Sequence, residues 1–198
     1  MKKLLILSML LALAASAFAG IKLQAGLGLD LFGKESFSNA TLGDDADVNT
    51  GLSMYAELLV AKTYSIGRSR MGIGAELQLP RKLEDFGTAE HRRQVTNLPA
   101  YATFKYVILP TDIAPEIIGQ VGYNFLLSQK NYELNNNPVN ATGGLYWGAG
   151  IGLDYETVVL QLMYKSHETE FEWTDINLQE MRSENTHSQL SIQFGIIF

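Results

Sequence analysis

The sequence predicts an all-β protein, an eight-stranded antiparallel up-and-down transmembrane β-barrel, on three observations. Eight windows alternate apolar and polar residues at nearly every step, long polar connections alternate with short ones, and a secretory pattern precedes the first window. Side chains of a strand point to opposite faces with a period of two, so alternation separates two faces that a helix would mix.

The chain opens with Lys2 and Lys3, continues through an apolar run from Leu4 to Ala15, and reaches Ala17-Phe18-Ala19 before Gly20. Charge, apolar run and small-residue cleavage site in that order describe a signal peptide, and the run is short for a bilayer span. The expected organisation is a cleaved segment at 1–19 and a barrel at 20–198. Without the two signal lysines, 13 basic residues face 21 acidic ones, a net of −8 that argues against a nucleic-acid partner. The absence of cysteine excludes disulfides and thiolate metal sites.

The first window, Ile21 to Phe32, sets Ile21, Leu23, Ala25, Leu27, Leu29 and Leu31 against Lys22, Gln24, Gly26, Gly28 and Asp30. The second opposes Leu52, Met54, Ala56, Leu58 and Val60 to Ser53, Tyr55 and Glu57. In the third, Met71, Ile73, Ala75, Leu77 and Leu79 face away from Gly72, Gly74, Glu76 and Gln78. The fourth, Leu98 to Leu109, separates Ala100, Ala102, Phe104 and Tyr106 from Tyr101, Thr103 and Lys105. A less regular fifth places Ile117, Val121, Tyr123 and Phe125 opposite Glu116, Gln120, Gly122 and Asn124. Leu145, Trp147, Ala149, Ile151 and Leu153 oppose Gly148, Gly150, Gly152 and Asp154 in the sixth. The seventh sets Leu160, Leu162 and Tyr164 against Gln161, Lys165 and His167, and the eighth sets Leu190, Ile192, Phe194, Ile196 and Phe198 against Gln189, Ser191, Gln193 and Gly195.

Connections at 33–50, 80–97, 128–143 and 168–186 read as long and polar, and those at 63–69, 110–114 and 156–157 as short. Strands that run up and down through a membrane with long outside loops and tight periplasmic turns give this alternation. An even strand count then places both termini in the periplasm. Eight strands leave an interior just wide enough for side chains.

The polar set is rich in glycine and poor in charge, which suits a cramped lumen better than the wet surface of a soluble, lipocalin-like barrel with reversed faces. Tyr64, Tyr106, Tyr155 and Phe198 near one membrane edge, and Trp147 near the other, fit aromatic girdles. Glu57, Glu76 and Lys105 fall near mid-strand, with Gln120 and Gln161 at similar depth, and form a candidate lumen cluster. Carboxylates removed from water need such partners. Lys105 is expected to serve Glu76 first and Glu57 second.

The pattern resembles the small outer-membrane barrels of the OmpA/OmpX-like group across the region after the signal segment. Its most specific piece is the final strand, Gln189-Leu-Ser-Ile-Gln-Phe-Gly-Ile-Ile-Phe198, in which alternation ends on a terminal Phe. The resemblance makes Gln193, Gly195 and Phe198 the candidate assembly signal. It implies the barrel-assembly machinery and outer-membrane lipids as partners, and an outer-membrane location.

Some small barrels modify lipid A, and His167, with Glu168, Thr169 and the neighbouring His187, is the best lone catalytic candidate. The His-x-Ser spacing of the deacylase family is missing, because Thr169 stands two residues after His167. Asp45-Ala-Asp-Val-Asn49 opens like a calcium loop, but Thr50 replaces the turn glycine and no Glu closes it. No catalytic residue, cofactor or metal is therefore assigned. Phe171 and Trp173, interleaved with Glu168, Glu170 and Glu172, extend the alternation beyond the membrane and are the surface-loop candidates, open to strand addition by an extracellular ligand. The expected function is a non-enzymatic outer-membrane barrel with an envelope-structural or surface-binding role. The alternative is a narrow, porin-like path for small solutes, and the third reading is a lipid A-modifying enzyme.

Overall fold

In the computed structural model, the described residues are 20–38, 46–64, 67–79, 95–109, 111–129, 133–134, 137–138, 140–174 and 180–198. The signal segment 1–19 and most of 80–97 lie outside them. Eight long strands build the molecule: β1 (Ile21–Phe37), β2 (Gly51–Tyr64), β3 (Gly67–Gln78), β4 (Val95–Val107), β5 (Ile113–Gln129), β6 (Asn140–Tyr155), β7 (Val158–Thr174) and β8 (Glu180–Ile197). Each pairs antiparallel with its sequence neighbours, and β8 returns to β1, so the sheet closes into an up-and-down barrel. Closure fills the ladder on both sides of the strands through the barrel wall, and among the described residues the far ends of β7 and β8 run on paired with each other alone. Phe198 and Leu23 exchange backbone hydrogen bonds at 2.7 and 3.3 Å, so the first and last strands lock at one end, called here the near end.

Alternation becomes inside and outside. Leu27 and Ile151 are 63% and 61% exposed on the outer wall, whereas Gln24, Glu76, Lys105 and Lys165 are fully buried within. Among the described residues, buried polar and charged side chains outnumber buried apolar ones, the reverse of a water-soluble core. An apolar cavity of the lipocalin sort is therefore not what these strands enclose. The apolar interior groups include Val107, Ala114, Val159 and Ile197, which line the near end. Inward glycines make room for larger neighbours. Gly26 and Gly195 pair directly, and a Cβ on either would collide with the Tyr55 ring that covers them.

Neighbouring strands are strongly staggered. The chain of partners Gln24, Glu57, Gly74, Tyr101, Gly122, Tyr146, His167 and His187 returns to β1 at Glu35, eleven residues above its start. Closing eight strands needs such a shear and tilts them against the barrel axis.

The connections correct the sequence reading at the far end. β1 continues to Phe37, and β7 and β8 extend to Thr174 and from Glu180, so much of 33–50 and 168–186 is strand rather than loop. The backbone ladder supplies the reason, since β7 and β8 pair without interruption from Val158↔Ile196 to Thr174↔Glu180. The short strand Ala46–Val48 pairs with the far end of β1, and Glu133–Leu134 pairs with Asn137–Pro138. Register shifts lie between Leu31 and Lys34, between Thr96 and Asn97, and between His167 and Thr169. The first of these turns Phe32 outward, 82% exposed, at a φ of 49°. At the near end Tyr155 pairs with Val158 around Glu156, whose φ of 52° is the left-handed conformation that a tight two-residue hairpin demands.

Candidate functional site: the ion pairs of the lumen

Inward positions on the strands carry three groups of charged side chains. Near the termini, Asp154 of β6 accepts hydrogen bonds from Arg70 and, at 2.8 Å, from Arg68, both of β3. Arg70 also lies 3.9 Å from Glu116 of β5, whose Oε1 accepts from Gln161 Nε2 at 2.8 Å. Arg68 is the one partly exposed member and faces the near opening with a third of its side chain accessible, at 34%.

In the middle, Lys105 of β4 approaches Glu57 of β2 at 2.5 Å and donates to Gln24 Oε1 at 2.9 Å. Glu57 Oε1 also accepts from Tyr101 at 3.2 Å and from Gln120 Nε2 at 3.1 Å. Tyr146 donates to the other end of the Gln120 amide at 2.6 Å, and Gln24 donates to Tyr55 at 3.0 Å. The amides thus work as two-ended bridges, with oxygen toward a donor and nitrogen toward an acceptor.

Toward the far end, Lys165 of β7 donates to both oxygens of Glu76 at 2.7 Å and to Ser191 at 3.2 Å, and lies 3.7 Å from Asp30. Gln78 and Gln193 each donate to Glu76 at 3.2 Å. Above them His167 stacks between Tyr146 and His187, with ring centroids 5.2 and 5.6 Å away.

Of the residues proposed from sequence, Glu57, Lys105 and Gln120 come together, Glu76 sits with Lys165 instead, and Gln161 joins Glu116. The expectation that Lys105 serves Glu76 first is corrected: its cross-strand partner on β3 is Arg70, six positions below Glu76. Sequence reasoning missed Lys165, Asp30, Arg70, Asp154, Tyr101 and Tyr146 as members of the network. Lys165, Asp30, Tyr101 and Asp154 stood in the polar half of their windows, which was the available signal. Tyr146 stood between the outward Leu145 and Trp147 and was equally legible.

Arg68 apart, the arrangement holds its charges out of water. Each buried carboxylate is within reach of a cation, as desolvated charge requires. His167, the catalytic candidate, points into the lumen, away from the outer wall. Its Nε2 is 3.2 Å from Gln78 Nε2, and His187 Nε2 is 3.0 Å from Gln189 Oε1. Among the described residues no group of three His, Asp or Glu is placed to hold a metal ion. Asp47 and Asn49 flank a strand residue of Ala46–Val48, and Asp45 lies outside the described residues.

Gln193 bonds Glu76 inside the barrel, Gly195 lies beneath Tyr55, and Phe198 is exposed at the near end. Phe171 and Trp173 belong to the far part of β7, opposite Ser183 and Met181 of β8, and Phe171 also pairs with Ala141 of β6, so the expected free edge for strand addition is corrected at Phe171, where the ladder is filled on both sides. Their side chains lie outside the described set. Around them Glu168, Glu172 and Glu184 are exposed, and Arg182 pairs with Glu170.

No family model and no curated protein matches the chain. Among solved structures it is similar to the P. putida toluene transporter TodX, at 12% identity and a TM-score of 0.28, over 86% of this chain and 55% of that one. The chain therefore spans about half the length of that transporter.

Proposed function

We propose that this chain is a bacterial outer-membrane barrel, with residues 1–19 removed as a signal peptide and both termini in the periplasm, whose lumen is closed and whose work is done at its surface. The observation that carries the reading is the inversion of polarity. An apolar outer wall encloses buried ion pairs, the arrangement a barrel needs when lipid surrounds it and no water channel runs through it. The resemblance of the final strand to OmpA/OmpX-like barrels adds assembly by the barrel machinery through Gln193, Gly195 and Phe198.

The role that remains for such a barrel is envelope-structural or surface-binding, through the extension of β7 and β8 beyond the far end of the lumen. Their exposed Glu168, Glu172 and Glu184 offer an extracellular ligand an acidic surface. A narrow solute path would need the Lys105–Glu57 and Lys165–Glu76 pairs to part. Lipid A chemistry would need His167 at the lipid face, whereas it is enclosed.

Conductance in planar bilayers tests the closed lumen. The refolded protein is expected to leave the bilayer current at baseline, and discrete, reproducible conductance steps would favour the solute path. A lipid-product assay that yields modified lipid A and loses it in His167→Ala would favour the enzyme.

A further inference from the structure

The far group of lumen residues contains a donor conflict that only one protonation state resolves. Glu76 can only accept hydrogen bonds, and its Oε1 lies 3.2 Å from Gln78 Nε2, so the Gln78 amide nitrogen points toward it. The same nitrogen lies 3.2 Å from His167 Nε2. Gln78 has two N–H groups on that atom and can give one to each neighbour. His167 Nε2 must then offer its lone pair, which places the single ring proton of neutral histidine on Nδ1. A second proton on the ring would set N–H against N–H. A flip of the Gln78 amide would cure that contact but turn the amide oxygen against the Glu76 carboxylate. Either way, one of the two bonds is lost.

We propose that His167 is the proton-sensing end of a latch, and that Gln78 transmits its protonation state to the Glu76–Lys165 pair that fills the far half of the lumen. When His167 is protonated, the Gln78 amide rotates so that its oxygen accepts from the His167 Nε2–H and its nitrogen leaves Glu76, and that carboxylate is left to Lys165 and Gln193. The groups around the ring come from most of the wall. β7 itself brings Lys165, β8 brings His187, β6 brings Tyr146, and β3 brings Glu76 behind Gln78. Further out, Asp30 of β1 reaches Lys165, Glu35 of β1 is the cross-strand partner of His187 and accepts from Asn185 at 3.0 Å, and Asn97 of β4, the cross-strand partner of Gln78, is bonded to Asn124 of β5 at 3.2 Å. Lys165 and a charged His187 oppose a proton on His167; the carboxylates of Glu76, Asp30 and Glu35 favour it. Histidine is the side chain whose ordinary range places such a switch between neutral and mildly acidic conditions. The latch concerns the interior alone and stands or falls separately from the surface role proposed above.

The test is an NMR titration of the protein refolded in detergent micelles, labelled on the histidine rings and the glutamate carboxyl carbons. At neutral pH the His167 ring is expected to carry its proton on Nδ1, with Nε2 unprotonated. As the pH is lowered to about 5, the Glu76 carboxyl resonance is expected to shift with the same midpoint as the His167 ring. In Gln78→Leu the ring should still titrate while the Glu76 response disappears. A proton on Nε2 at neutral pH overturns the proposal, as does a Glu76 resonance indifferent to the ring in the wild type or still coupled to it in Gln78→Leu. The wild-type measurement can overturn the proposal by itself, through the tautomer or an indifferent Glu76, even where the variant does not fold.

Discussion

Lys105 reaches Glu57 rather than Glu76 because partners follow the tilt of the strands, not their order in the chain. Its Nζ lies 2.5 Å from Glu57, with both side chains fully buried, and Glu76 is committed to Lys165. A Lys105→Met substitution would strand a desolvated carboxylate, and should cost about 3–5 kcal/mol. In urea unfolding, Lys105→Met with Glu57→Gln should be milder than the single lysine change and show strong coupling. Lys105→Met with Glu76→Gln should be close to additive. The opposite pattern would return Lys105 to Glu76. The identity of the inward residues was legible because a period of two sorts them at sight; their partners were not. A stagger of eleven residues around the wall moves every pairing by an amount that loop lengths do not reveal. Lys105 and Glu76 are on adjacent strands and still miss each other for that reason.

At the scale of the strand, alternation located all eight elements but under-measured most of them, with the largest shortfalls in β1, β7 and β8. β1, β7 and β8 run past the apolar belt into segments whose polar residues read as loops, such as Lys34 to Ser36 and Thr186 to Glu184. In lipid an outward polar residue ends a spanning segment, whereas in water a ladder can continue with polar side chains on both faces, and composition cannot tell the two apart. The register shifts at Leu31/Lys34 and His167/Thr169 mark where the alternation slips. Hydrogen exchange separates strand from loop. The paired amides of Glu168–Glu172 and Arg182–Thr186 should exchange far more slowly than a solvated loop. Rapid exchange at both would reduce β7 and β8 to the length of the belt and remove the extended surface.

Across the whole molecule, one inversion accounts for glycine, charge and exposure together. Outward Leu27 and Ile151 are among the most exposed apolar side chains, and inward Gln120 is bonded to Glu57 and Tyr146. The fold class was legible because every strand repeats the same contrast between an apolar and a polar face, the contrast expected of a barrel that spans lipid. The ion pairing of the interior was less so, since Lys165, Arg70 and Asp154 complete the pairs from positions that are polar but otherwise undistinguished in sequence. The most direct measurement compares the folding free energy of Ile151→Arg and Gln120→Glu in lipid vesicles. A charge forced into hydrocarbon at Ile151 should cost about 2–4 kcal/mol, and the lumen change at Gln120 should cost less. A harmless arginine at 151 together with a severe loss at 120 would mean that the apolar face does not meet lipid, and would contradict the account.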